Sequence, residues 1–331
     1  MQYGIKSMSL GDILENLFKL AGKTVLRNLI VATIFLLPAS IILNYGIETF
    51  FTSLINLVEH KDEYGGMTGE KITSLISVFA LYGFSIFIFT IGTVLATLAV
   101  TIISAYQFAG NQISWQEGLR QTFSMKFWRM LGASIIESFA VVGVFIIPMI
   151  IFIALVSTKN GFAIFFGVII LLAAISAVIY IAIRWSFVFP ALAYEDTGVI
   201  DSLKRSWNLV TGYWWRTFGI LILLNIIVSF AISIITTPLM FAVLWDIFAD
   251  FFSMMDINTY GKPDTMEAMK LLSSMGIRMG IISAVSSILS LLITPLISVV
   301  MYFDLRAKKN EFADDQTPEE PSEPDNSIDL F

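Results

Sequence analysis

Six long runs of apolar residues, separated by polar connections, occupy most of the chain: 29–57, 75–106, 130–156, 162–189, 217–245 and 280–303. A membrane-crossing helix needs about 20 mainly apolar residues, so each run predicts one span. Unbroken apolar runs of this kind are not the alternating strands of a membrane barrel. The first and fifth runs exceed the minimum, and Pro38 and Pro238 inside them are the expected kink sites.

A shorter polar pattern precedes each odd-numbered run. It consists of a capping residue, an acid three positions on, a leucine two later, an aromatic four later and then an arginine. The copies are Ser9, Asp12, Leu14, Phe18, Arg27; Ser114, Glu117, Leu119, Phe123, Arg129; and Gly198, Asp201, Leu203, Trp207, Arg216. Ser9 with Asp12 and Ser114 with Glu117 resemble capping boxes, while Gly198 is a tolerated N-cap with Asp201 in the first turn. Leucine and aromatic four apart share one helical face, and the arginine can reach a phosphate headgroup. Each copy therefore predicts an amphipathic surface helix, near 10–22, 114–123 and 198–210. Copies one and three align without a gap, but only Asp12, Leu14, Leu20 and Arg27 match their partners. The even runs end at Tyr106, Tyr194 and Tyr302, the usual place of interfacial anchors.

Together these patterns predict an all-α integral membrane protein with six transmembrane helices arranged as three hairpins. Each hairpin follows a cytoplasmic amphipathic interfacial helix, and the repeat units cover about 9–106, 114–194 and 198–306 of a membrane domain at 1–309. Composition agrees, with 56% hydrophobic and 14% charged residues and a mean hydropathy of +0.80. Lys and Arg set the orientation. The N-terminus, the 107–129 and 184–216 connections and the C-terminus hold 4, 3, 4 and 3 of the 20, and the opposite face holds 6. Both termini are therefore expected in the cytoplasm, with the chain in the inner or plasma membrane. The first apolar run, which begins after Arg27 without a cleavage pattern, is expected to stay as a signal anchor.

The acidic residues from 310 to 331, with Pro318, Pro321 and Pro324, predict a disordered cytoplasmic tail that accounts for much of the net charge of -6. That charge offers nothing to nucleic acid. His60 to Glu63 with Gly65 and Gly66 reads as a solvated turn. Beyond Trp245, the aromatic residues Phe248, Phe251 and Phe252 and a helical stretch at 265–274 predict a surface helix or a cover over the bundle.

Chemistry is sparse. There is no cysteine and one histidine, His60, so thiolate or histidine metal sites and histidine triads lack raw material. No catalytic, metal or cofactor-binding residue is assigned. Two charges fall inside spans. Glu137 lies eight residues beyond Arg129 and Arg184 ten before Tyr194, depths of about 12 and 15 Å at 1.5 Å per residue. On consecutive antiparallel helices the two can meet, either as a structural ion pair or as a polar cavity for an anionic headgroup or ion. Arg27, Arg129, Arg205 and Arg216 are candidate headgroup contacts, and Asn44 and Asn225 candidate interhelical hydrogen-bond partners.

The stretch PALAYEDTGVIDSLKRSWNLVTGYWWRTFG at 190–219 carries Pro190, Glu195, Leu203, Arg205, Ser206, Trp207, Leu209, Gly212, Trp215 and Arg216; near the end come Pro295, Tyr302, Asp304 and Arg306. These residues resemble the signature of the glycerophosphoryl diester phosphodiesterase membrane domain, as a stand-alone bacterial form without the catalytic barrel. In that family a separate soluble barrel performs hydrolysis with histidines and carboxylates, and this chain has no such part. The resemblance implies a non-enzymatic membrane module, lipid-associated or scaffolding, with membrane phospholipid and a cytoplasmic or membrane protein as possible partners. The alternative is a small transporter or channel for an anionic or lipid-like substrate.

Overall fold

A computed structural model describes residues 7–59, 69–254 and 276–312. Among the described residues there are nine helices and no strand: α1 Leu10–Glu59, α2 Gly69–Phe108, α3 Trp115–Thr122, α4 Met125–Ser157, α5 Gly161–Trp185, α6 Val188–Glu195, α7 Val199–Val210, α8 Trp214–Met254 and α9 Gly276–Lys308. Six stretches are long and apolar enough to cross a bilayer: Leu10–Asn56, Ile72–Phe108, Met125–Ser157, Gly161–Glu195, Trp214–Ala249 and Arg278–Lys308. The protein is thus all-helical and membrane-like. Its surface chemistry agrees, because α4 and α5 expose Phe139 at 74%, Ile147 at 63% and Phe162 at 73%, a density of bare apolar surface that water does not tolerate.

Consecutive long helices pack together, α1 on α2, α4 on α5 and α8 on α9, and α9 also lies against α1 and α2. The main apolar core sits toward one end of the bundle, where Ile13 and Leu20 of α1 meet Phe108 of α2, Phe187, and Leu296 and Phe303 of α9. Phe108 and Phe303 stack at 5.0 Å between ring centroids. The first and last described segments meet at this same end, where the Met8 amide donates to Asp304 Oδ1 at 2.7 Å.

Helix starts follow the caps in the sequence. Ser9 and Asp12 cap each other reciprocally, with the Asp12 amide on Ser9 Oγ at 3.2 Å and the Ser9 amide on Asp12 Oδ2 at 2.8 Å. Ser114 accepts from the Glu117 amide at 3.2 Å, and Ser124 caps α4 through Lys126 N. Breaks are also chemical. Between α7 and α8 the chain turns at Gly212, whose φ of +90° is left-handed. A methyl group there meets nothing within 4 Å, so Gly212→Ala is expected to cost only the backbone strain, about 1–2 kcal/mol, read from the melting temperature in detergent.

Three expectations are corrected. The first surface helix is not separate, because α1 runs unbroken from Leu10 to Glu59. Ile13, Leu17, Leu20, Thr24, Asn28 and Val31 are all buried, so one face at spacings of three and four carries straight across the expected junction. The fourth span is not one helix either. Pro190 has no amide to give Ser186, so α5 ends at Trp185 and α6 restarts with Pro190 in its first turn, where that amide is not needed. Beyond Trp245 the chain continues α8 to Met254 instead of opening a surface helix. The expected helix at 265–274, the turn around His60 to Glu63 and the tail from 313 onward lie outside the described residues. Residues 310–312, placed in the tail by sequence, belong to the folded body, as shown next.

Candidate functional site at the converging helix ends

The signature residues gather where α6, α7 and α9 end. Glu195, the last residue of α6, receives Arg205 of α7 through Nε at 3.0 Å to Oε2 and through Nη2 at 2.8 Å to Oε1. The Tyr302 hydroxyl donates to Glu195 Oε1. Arg205 also holds Glu311 through Nη1 at 2.7 Å, and Arg306 Nε donates to Glu311 at 2.8 Å. Arg306 lies over the rings of Tyr194, Tyr302 and Phe312, the last at 4.7 Å. Two carboxylates and two guanidinium groups thus neutralise each other in an aromatic frame, and residues 311 and 312 are drawn into it.

Burial works against the charge of Arg205, but the bonds it donates to Glu311 and then to Glu195 raise its pKa overall. Partial burial likewise opposes ionisation of Glu311, yet Arg205 and then Arg306 outweigh it and hold that carboxyl below its ordinary range. A folded-state pKa below the unfolded one stabilises fully above about pH 4.3, the ordinary glutamate value. That contribution is lost as pH falls through the depressed folded value. Thermal stability is therefore expected to fall on acidification below about pH 4.3, and Glu311→Gln to flatten that acid limb in melts collected across pH.

The repeated arginines are engaged inside the protein. Arg27 donates to Gln107 Oε1 at 2.5 Å and to the Ile113 carbonyl at 2.7 Å. Arg129 pairs with Asp196 at 2.7 Å, and Arg216 bridges Asp304 Oδ2 at 2.6 Å and the Met8 carbonyl at 2.9 Å. With Arg205, all four expected headgroup contacts have their charge or hydrogen bonds taken up by the chain itself. Each repeat arginine reaches a polar side chain one or two positions after the tyrosine that ends the even run of its unit: Gln107 after Tyr106, Asp196 after Tyr194, Asp304 after Tyr302. The tyrosines face inward. Tyr302 is fully buried, and Tyr106 and Tyr194 lie 6.1 Å apart in edge contact. They are packing residues here, not outward anchors.

The expected Glu137 and Arg184 pair is not formed. Because α5 ends at Trp185, Arg184 sits in its last turn, where a cation suits the helix dipole. There it donates to Thr211 Oγ1 at 2.6 Å, to the Trp207 carbonyl at 3.1 Å and to the Tyr180 hydroxyl at 2.7 Å, with its guanidinium 4.7 Å from the Trp207 ring. Glu137 Oε1 is buried and unbonded. With no shared partner, Glu137→Gln and Arg184→Gln are expected to change stability additively, within about 0.5 kcal/mol in a double-mutant cycle.

Other signature positions make the joint. Ser206 Oγ donates to the Arg184 carbonyl at 2.7 Å and accepts from the Phe187 amide at 3.1 Å, so it satisfies both sides of the α5–α6 break. Trp215 is 77% exposed. Asn44 and Asn225 donate to carbonyls four residues back, Ser40 and Leu221, within their own helices rather than between helices.

Two features escaped the sequence reading. Glu311 joins the charged cluster, and a cavity of about 480 Å³ lies between α2 and α9. Thr93, Thr97 and Thr101 line it from α2, and Ser287, Ser290, Thr294 and Ser298 from α9. The threonine hydroxyls spend their protons on carbonyls four residues back, at 2.6 to 2.9 Å, so what they offer the cavity is lone pairs. The spacing of four along α2 was the readable signal. Among the described residues no cluster of three His, Asp or Glu is placed to hold a metal ion.

The sequence profile of a family described as a domain of unknown function (DUF7847) matches residues 70–305. No curated protein and no solved structure matches the chain.

Proposed function

The chain belongs to the DUF7847 family, and from its geometry we propose that it is a non-catalytic, lipid-associated membrane module. One observation carries the reading: the conspicuous charged residues neutralise one another where α6, α7 and α9 end, and so serve the joint. The likeness to the membrane domain of glycerophosphoryl diester phosphodiesterases belongs to this proposal. It is supported by Pro190, Glu195, Ser206, Gly212, Tyr302, Asp304 and Arg306, each with a definite task in holding the helix ends. The three-unit organisation, as hairpins led by amphipathic helices, is part of it too, supported by the arginine contacts of α1, α4 and α8. Membrane phospholipid is the proposed partner, with both termini in the cytoplasm. Since the chain has no cysteine, one introduced at Asp325 is expected to resist impermeant thiol reagents in intact cells; labelling from outside reverses the orientation.

Transport is the second reading, favoured by the hydroxyl-lined cavity between α2 and α9 and by the unpaired Glu137. Vesicle reconstitution decides between them. The module is expected to leave vesicles no more permeable to ammonium or small polyols than protein-free ones, and to release no product from a glycerophosphodiester. A flux that Thr97→Val or Ser290→Ala abolishes would replace the module with a transporter.

A further inference from the structure

A groove of about 430 Å³ runs between α1 and α9 at the end of the bundle remote from the charged joint. Glu48, at its outer end, lies 21 residues beyond Arg27. That is about 31 Å along the helix, the thickness of a hydrocarbon core. The walls are apolar, with Leu37, Ile41, Ala284 and Ile288. Ile41 and Tyr45 on the rim are 63% and 62% exposed, so the groove opens sideways to the lipid.

Three polar side chains on α1 line this groove with bonding capacity unspent. Ser40 is 2% exposed, yet its Oγ makes no hydrogen bond. By contrast, Thr24 and Thr49 on the same helix give their protons to carbonyls four residues back. Asn44 spends its Nδ2 on the Ser40 carbonyl at 2.7 Å and, among the described residues, leaves Oδ1 unbonded. Glu48 has no hydrogen bond or ion pair among the described residues. Gly280 allows the close approach of the two helices, for a Cβ there would overlap the Asn44 side chain. The result is an alkyl-shaped slot with hydrogen-bonding groups halfway and, at the mouth, a carboxylate unpaired among the described residues.

We propose that the α1–α9 groove binds an amphiphile with a cationic amine head. Its alkyl chain lies between Ile41 and Ala284, a polar linkage meets Ser40 and Asn44, and the amine meets Glu48. The acid at the mouth selects against anionic heads. This site deepens the lipid-associated reading and rests on it.

The test uses the full-length protein in a neutral maltoside detergent, titrated calorimetrically with dodecyltrimethylammonium, short-chain phosphatidylethanolamine or short-chain phosphatidylglycerol. Both amine probes are expected to bind, and Glu48→Gln to weaken them about tenfold, as loss of a charge-assisted contact does, without lowering the melting temperature. Ala284→Leu narrows the slot and should abolish binding. Should that variant fold poorly, Ser40→Ala is expected to weaken phosphatidylethanolamine binding about threefold and to leave dodecyltrimethylammonium binding and the melt unchanged. Tighter binding of phosphatidylethanolamine assigns a phospholipid amine, and tighter binding of dodecyltrimethylammonium a single-chain amine. Equal affinities of wild type and E48Q for the amine probes, or equal binding of phosphatidylglycerol, overturn the proposal. If no probe binds while extracted protein still carries phospholipid, the site fails alone. If the protein carries none, the lipid-associated reading fails with it.

Discussion

Arg216→Met is expected to lower the stability of the detergent-solubilised protein by about 3–5 kcal/mol, the cost of leaving a buried charge without its partner. Asp304 is fully buried, and its two oxygens are taken by the Met8 amide and Arg216 Nη1. Removing the guanidinium strands Oδ2 and also frees the Met8 carbonyl, so the segment that leads into α1 loses its tie to α8 and keeps only the Met8 amide on Asp304 of α9. Asp304→Asn in the same chain removes the stranded charge and should recover a substantial part of the loss. Thermal melts of the two single variants and the double variant check this. Additive losses would mean that Arg216 and Asp304 act independently.

Glu195→Gln should be the next most damaging change, at about 3 kcal/mol, near the low end for a broken buried pair, because Glu195 keeps 18% exposure. The substitution preserves shape but removes the charge that Arg205 and Arg306 share. Those two cations would then face Glu311 alone, beside the buried Tyr302 hydroxyl. Arg205→Gln in the Glu195→Gln background should cost less than in the wild type, since the contact it serves is already gone. Equal costs in the two backgrounds would show that the bridge contributes nothing to the fold.

The membrane spans were legible because 20 apolar residues in a row have few other solutions. The capping pairs Ser9–Asp12 and Ser114–Glu117 were legible because their partners sit three residues apart. The break after α7 shows in Gly212. What the sequence could not display was pairing over distance. Asp304 meets Met8 from 296 residues away, and Tyr302 meets Glu195 from 107, with no local period to mark either. Arg184 was misplaced for a related reason. Its depth was counted along a helix assumed to reach Tyr194, whereas Pro190 forces a restart and leaves Arg184 at a helix end. The first surface helix was wrongly separated from its span because a cap and an amphipathic turn predict where a helix begins but not where it stops. Both cavities arise from two helices distant in sequence, and only the threonine spacing on α2 hinted at one of them.

On the reading proposed above, this module holds membrane lipid while its charged joint serves only to hold the fold. Native mass spectrometry of gently extracted wild type and Glu195→Gln, released from detergent under identical conditions, tests it most directly. Phospholipid adducts of equal occupancy on both proteins, despite the lower melting temperature of the variant, are the predicted result. A wild-type protein without bound phospholipid, or a folded Glu195→Gln protein that has lost it, would contradict the account.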